Sequence, residues 1–366
     1  MIIRPIQHQD MDALRAIARE SGPGFTSLVD DPEFLRRKIA LSIDSFARSP
    51  RAPEDEHYLF VLVDENSGRV MGTTAIEARA GQERPLFHFR HSPSAPGMAD
   101  QPDRLTRCNH YTGCSEICSL YLRPADRRPR AGKLLSKVRF LFMAQHPQRF
   151  ADTVIAEMRG VSDEHGQSPF WNWLRAKAGN LDFATVTRLA GTGDTRLLDT
   201  LLPGGSLCTA AMSEQARRAI GQVHEHTRPA LKMLTDEGFR YTGYVDLFDA
   251  GPTVEAPLTG IASVQGSEAC RVQVVDDDVP AITRNRADHH NQALLLANSG
   301  VSDFRATITH EASWLPNHRL LSVPRSLAGK LKLETGSVAR CLALPPTADQ
   351  IQPRRHSPLP EARYAH

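Results

Sequence analysis

The 366-residue chain predicts an α/β protein: a mixed sheet flanked by helices, followed by a second, smaller, mainly-β and barrel-like domain. Three observations carry this expectation. Apolar, β-rich runs alternate with helically spaced apolar positions from the first residue to about 257. Past 258 the texture changes to short strands and tight turns with one marked helix. The last stretch, 346–366, is rich in proline and charge with almost nothing to bury, and reads as a disordered tail. The expected organisation is therefore 1–257, 258–345 and that tail, a count in keeping with about 100–200 residues per domain.

With 44 Lys and Arg against 42 Asp and Glu, the formal charge is +2. A protein that coats nucleic acid or an anionic membrane needs a basic excess that this chain lacks. The longest uninterrupted apolar run, 58–63, is far short of the roughly 20 residues of a membrane span. No apolar segment of signal-peptide length follows Met1-Ile2-Ile3-Arg4-Pro5, so a cytoplasmic protein is expected. Cys108, Cys114 and Cys118 crowd around His110, but separations of six and four positions do not bring ligands in as the close pairs of a zinc knuckle. They read as free thiols around a strand, with no metal.

In chain order, Ile2-Ile3 is a short strand stopped by Pro5, and Asp10 caps a helix carrying Met11, Leu14, Ile17 and Ala18. Asp31-Pro32 starts a second amphipathic helix, with proline at the first helical position, where its missing N–H costs nothing. A hairpin follows, 57–63 and 70–76 about Asn66-Ser67-Gly68. Residues 79–112 are aperiodic and rich in Gly, Pro, His and Arg, with the patch Phe87-His88-Phe89-Arg90, and read as a lid or a partner surface. A strand at 116–122, a basic loop, a helix through Leu134 to Met143 and a buried strand at 153–158 come next. Phe170-Trp171-Asn172-Trp173 anchors a helix, Ser213 opens another, and Thr227-Arg228-Pro229 a third that stops at Gly238 before a strand. Residues 249–254 read as a turn leaving the first domain. A strand at 319–323, a helix at 325–331, a turn at 334–336 and a strand at 337–344 close the folded part.

The segment 116–142 has chemical content. A helix N-terminus presents unpaired N–H groups and partial positive charge, and Arg127, Arg128, Arg130 and Lys133 add full charges beside Gly132. In outline this is a pyrophosphate cradle, although the better-known phosphate-loop spacings are absent and a solvated basic turn is the alternative.

The helix ending in Leu234-Thr235-Asp236-Glu237-Gly238-Phe239-Arg240-Tyr241 resembles the closing helix and strand of acyltransferases of the GNAT superfamily, whose earlier loop holds coenzyme A pyrophosphate. Of that loop's R/Q-x-x-G-x-G/A pattern, Arg127 and Gly132 match and Arg130 stands where the first glycine is expected. A closer resemblance is carried by His110-Tyr111-Thr112-Gly113-Cys114-Ser115-Glu116-Ile117-Cys118, by Ile155-Ala156-Glu157-Met158-Arg159-Gly160-Val161-Ser162-Asp163-Glu164-His165-Gly166, by Ser168-Pro169-Phe170-Trp171 and by Ile220-Gly221-Gln222-Val223-His224. Gly24-Phe25-Thr26-Ser27-Leu28 and Phe248-Asp249-Ala250-Gly251-Pro252-Thr253 extend it. In these segments the chain is similar to the arginine N-succinyltransferases of bacterial arginine catabolism.

The resemblance implies transfer of succinyl from succinyl-CoA, a co-substrate rather than a tightly bound cofactor, to the α-amino group of L-arginine. It implies contact of Leu120 with succinyl-CoA and a proton-donor role for His224, and an oligomer, either of this chain or with a paralogous subunit. The chemistry of the residues agrees: an α-ammonium must lose a proton before it attacks a thioester, and the departing thiolate is helped by one. Arginine needs carboxylates for its guanidinium, and the carboxylates of both substrates need cations. Glu116, Glu157, Arg159, Asp163 and Glu164 are the candidates. A related acyltransferase for another acyl-CoA or basic amino acid, and a silent acyl-CoA- or arginine-binding protein, are the alternative readings.

Overall fold

The computed structural model describes residues 1–22, 24–82, 84–93, 102–163, 165–193, 202, 204–278 and 292–345. The expected tail and Glu164 lie outside the described residues.

Among the described residues sixteen strands form one sheet: β1 (Ile2–Pro5), β2 (His57–Val63), β3 (Val70–Glu77), β4 (His88–Ser92), β5 (Arg104–Cys108), β6 (Ser115–Leu122), β7 (Thr153–Glu157), β8 (Ser206–Cys208), β9 (Arg240–Val245), β10 (Pro252–Pro257), β11 (Glu268–Val275), β12 (Leu294–Asn298), β13 (Ala306–Thr309), β14 (Ser313–Leu315), β15 (Leu320–Pro324) and β16 (Val338–Ala343). Their spatial order is β14-β15-β11-β16-β12-β13-β1-β2-β3-β6-β7-β10-β9-β4-β5-β8. Among the described residues the helices are α1 (Met11–Ser21), α2 (Pro32–Ala47), α3 (Ala131–Gln145), α4 (Pro169–Leu174), α5 (Phe183–Thr192), α6 (Glu214–Ala219), α7 (Arg228–Asp236), α8 (Ala262–Gly266) and α9 (Arg325–Leu331). None of them is long and apolar enough to cross a membrane. Both faces of the central strands are covered, which is why β2 is buried at every position and reads as a continuous apolar run rather than an alternating one. Tyr58, Phe60 and Leu62 pack with α3 on one face. Leu59, Val61 and Val63 pack with α1 and α2 on the other.

The expected starts of α2, α4 and α6 are built as capping chemistry requires. Asp31 accepts the backbone N–H groups of Glu33 and Phe34, Ser168 that of Trp171, and Ser213 that of Ala216, each satisfying donors that a helix start leaves unpaired. Asp10 precedes α1 as expected but is drawn away from capping, since its carboxylate accepts from Arg4 and from the backbone N–H of Gln7.

Two stretches contain strands that their sequence patterns do not announce. Within 79–112, β4 and β5 pair with each other, β4 with β9 and β5 with β8, so the segment extends the sheet. Charged residues interleave the aromatics there, and only His88 and Phe89 of β4 are buried, which hides the strand from a pattern of apolar residues. Residues 252–254 belong to β10, a strand bonded to β7 and β9, not to a turn. The turn itself ends at Gly251, and Pro252 takes the first strand position, where a missing N–H is tolerated. Beyond 257 the chain returns through β13, which pairs with β1 at Ile3–Ala306. Phe304 reaches the first half's core, its ring centroid 5.4 Å from that of Phe60 and 5.2 Å from that of Phe142.

Candidate functional site

The sheet opens at β6 and β7. These neighbours run parallel and pair at Ser115–Val154 and Glu116–Ile155; among the described residues no pair follows toward their C-terminal ends. On its other side β6 carries a bulge. Its register with β3 slips between Thr73–Tyr121 and Ala75–Cys118, so that Ser119 and Leu120 together oppose Thr74, and Ser119 has a left-handed φ of 53°. A bulge takes one residue out of the ladder and re-aims the strand. Leu120, the expected succinyl-CoA contact, therefore stands at the bulge, beside the strand edge that β7 leaves.

The basic loop follows β6 and feeds α3. Arg130 occupies the N-cap position in the left-handed region, φ 70°, which is the conformation a glycine at that motif position would favour. Its guanidinium meets His310. Arg128 donates to Asp64 at 2.6 Å, which holds the Asp64 carboxyl down at about 2. Arg127 is exposed, and Gly132 and Lys133 lie in the first turn of α3 with open space over the glycine. Lys137, one turn on, pairs with buried Glu237 and donates to Ser263, fastening α3 to the loop after α7 and to α8.

His224 is mounted on the end of β7. Its N–H donates to the Arg159 carbonyl at 2.9 Å, the Gly221 N–H to the Ala250 carbonyl at 2.8 Å, and Gly160 forms a bridge with Val223. The buried Asp249 carboxylate accepts the N–H groups of Gly160 and Gly251 at 2.7 and 2.8 Å. A Cβ at Gly251 would fall 2.1 Å from the Met158 carbonyl oxygen, and one at Gly160 2.6 Å from that of Asp249, which explains why glycine stands at both positions. The backbone N–H of His226 donates to Nδ1 of His224 at 3.2 Å, a bond that leaves the neutral ring's hydrogen on Nε2. Burial lowers the His224 pKa from 6.5, and Arg159 and His226 lower it further. His226 itself is three-quarters exposed, at 75%.

Arg159 is half-buried and donates to Ser162 at 3.1 Å, and among the described residues its Nε has no partner. It lies against Gly24, whose Cβ would come 3.2 Å from that Nε, so the Gly24-Phe25-Thr26 segment borders the site. Glu116 and Glu157 come together on the sheet face opposite α3. Nε2 of His88, which the sequence offers only as part of the 87–90 patch, sits 2.6 Å from Oε1 of Glu157. Burial and nearby acids push Glu157 up to about 8 and Glu116 well above its ordinary value. Asp163 is exposed and closes its own turn by accepting from the N–H groups of His165 and Gln167. The cysteines separate: Cys108 and Cys114 pack beside Tyr111, Ile155 and Tyr244, whereas Cys118 faces His57 and Glu77.

The sequence pattern of the arginine N-succinyltransferase beta subunit matches residues 1–263. An arginine N-succinyltransferase of Yersinia pseudotuberculosis serotype O:3 (strain YPIII) is 36% identical over 94% of this chain and 98% of its own. One from Escherichia coli (strain 55989 / EAEC) is 36% identical over 85% of this chain and 92% of its own. The solved structure of arginine/ornithine succinyltransferase subunit AI from Pseudomonas aeruginosa superposes with a TM-score of 0.82 at 31% identity, covering 93% of this chain and 98% of that one. The mixed α/β, GNAT-like architecture expected from the sequence is thus the one found. With its fold and nearly its whole length shared, the chain belongs to the arginine N-succinyltransferase family of acyltransferase enzymes.

Proposed function

We propose that the protein transfers succinyl from succinyl-CoA to the α-amino group of L-arginine, with ornithine as an alternative acceptor. The observation that carries this reading is the mounting of His224 on the end of β7, the strand that parts from β6 beside the Leu120 bulge. The parted edge offers the thioester backbone groups that a continuous ladder would consume. The pantetheine arm enters there, and the pyrophosphate lies over the first turn of α3, met by its N–H groups, Lys133 and Arg127. Arg128 is engaged with Asp64 and shapes the loop as well as adding charge.

The reaction is a direct attack within a ternary complex. The α-ammonium loses one proton to become nucleophilic, and its nitrogen loses a second as the amide forms. One of these goes to solvent and one to the departing thiolate, so the C–N bond forms as the C–S bond breaks. His224 acts as a relay: the neutral ring takes up a proton at Nδ1, in place of the bond it receives from the His226 N–H, and gives its Nε2 hydrogen to the thiolate, so the ring begins and ends neutral. Arg159, with its unpartnered Nε, meets a substrate carboxylate. Six free cysteines suit a reducing compartment, and we place the reaction in the cytoplasm. The descriptions "beta subunit" and "subunit AI" of its relatives support assembly with a paralogous chain.

The test is to incubate purified protein with arginine or ornithine and a panel of acyl-CoAs, follow free thiol, and weigh the product. N-succinylarginine formed with stoichiometric thiol is the expected result. Thermal stabilisation by succinyl-CoA without thiol release overturns the reading in favour of a binding protein.

A further inference from the structure

The sheet face opposite α3 carries more negative charge than its own cations balance. Glu116 stands across the ladder from Glu77 on β3 and from Ile155 on β7, and strand alternation puts Glu157 on that same face, one pleat nearer the opening between β6 and β7. Asp246 adds a fourth charge beside Glu157. Among the described residues the ion pair of Lys38 with Glu77, 3.6 Å, is the only one these four carboxylates make with a lysine or arginine. Among the described residues the Glu116 side chain has no hydrogen bond or ion pair, and Glu157 faces fully buried His88.

Among the described residues, buried polar atoms on this face also lack partners. Thr253 lies directly across β10–β7 from Glu157; it is 0% exposed and its Oγ1 has no hydrogen bond. His57, across from Glu77, is equally enclosed, with an unbonded Nε2. Buried polar groups are normally satisfied, so a pair of orphans flanking uncompensated carboxylates points to an absent ligand that donates hydrogen bonds and carries positive charge. The arrangement along β7 is bipolar: Glu157 seeks a cation, and Arg159, two residues on and about 7 Å further along the strand direction, seeks an anion. A basic amino acid has that polarity, with a carboxylate at one end and a cation several bonds away.

Resting on the succinyl-transfer reading, we propose that this face is the acceptor-side-chain pocket, in which Glu116 and Glu157 clamp the cationic end of the amino acid and the Thr253 hydroxyl accepts one of its N–H groups. It is the element that selects arginine or ornithine over neutral amino acids.

Calorimetric titration of the intact protein with L-arginine and with L-citrulline, which keeps the shape and lacks the charge, tests this. The wild type is expected to bind arginine at least tenfold more tightly, and Glu116→Gln and Glu157→Gln each to lose tenfold or more for arginine with little change for citrulline. In turnover the loss appears in KM for arginine, with kcat within a few-fold. Unchanged discrimination, or a fall in kcat with arginine affinity retained, overturns the pocket. Should the glutamine variants fail to fold, as melting curves report, Thr253→Val decides: a several-fold loss for arginine alone supports the assignment and no change refutes it. Thiol release is measured separately, so arginine that binds in the expected pattern without acyl transfer refutes the proposed reaction and leaves the pocket standing.

Discussion

His224 owes its protonation to its immediate surroundings. Burial, the Arg159 guanidinium and His226 all disfavour a second positive charge, and the N–H of His226 already occupies Nδ1. The ring is therefore neutral at physiological pH, and the acidic limb of a kcat/KM profile should have its midpoint below the ordinary histidine value of 6.5. His224→Ala should lower kcat by about 100-fold or more while leaving succinyl-CoA binding intact; turnover near wild type would end the assignment. Arg130 makes a different prediction. It holds a left-handed φ of 70°, so Arg130→Gly should change stability by less than about 1 kcal/mol, whereas Arg130→Ile should cost about 1–2 kcal/mol in urea unfolding. His224 and Arg159 are candidates from the sequence because each stands in a contiguous motif of its own, 220–224 and 155–166. What unites Glu77, Asp246, His88 and Thr253 is instead register across β3, β6, β7, β10, β9 and β4, and no local spacing encodes that.

At the scale of elements, α3 depends on one buried contact. Glu237 is 1% exposed and is held by Lys137 together with the N–H and hydroxyl of Ser263. Lys137→Met leaves that carboxylate without its cation, and a loss of about 2–4 kcal/mol is expected, together with a higher KM for succinyl-CoA as the first turns of α3 loosen. A loss of stability with coenzyme KM unchanged would separate the helix from the cradle. Charge reversal at Arg127 should raise that KM without affecting melting. Elements with apolar periodicity or a capping residue were read correctly, α2 and β2 among them. The strands β4 and β10 were missed for physical reasons: β4 buries two residues beside exposed or half-buried charged ones, and β10 begins in Pro and Thr after a genuine turn.

For the whole molecule, the proposed acceptor pocket predicts that arginine binding depends on pH. A carboxyl whose folded value is raised stabilises the fold most below its unfolded value, near 4.5, and loses that contribution as pH climbs through the folded value, about 8 for Glu157. The groups that face it are Asp246, Glu77, Glu116 and His88, with Lys38 beside Glu77. Melting temperature of the free protein should therefore decline from pH 5 to 8.5 more steeply than that of Glu157→Gln. Arginine should stabilise the wild type more at pH 8.5 than at pH 6.5, and equal stabilisation would dissociate the pocket from these acids.

The pairing of β1 with β13 has a kinetic side. Ile3 meets Ala306 across the ladder and the Thr307 hydroxyl donates to the Met1 carbonyl, so β1 waits for a strand synthesised long after it. During that interval β2 protects one edge of β1 while the other stays open, a template for another chain's strand. The late strands thus act as an intramolecular cap on a nascent sheet, and a chain ended at 257 should aggregate on synthesis unless a segment carrying β12 and β13 is supplied in trans.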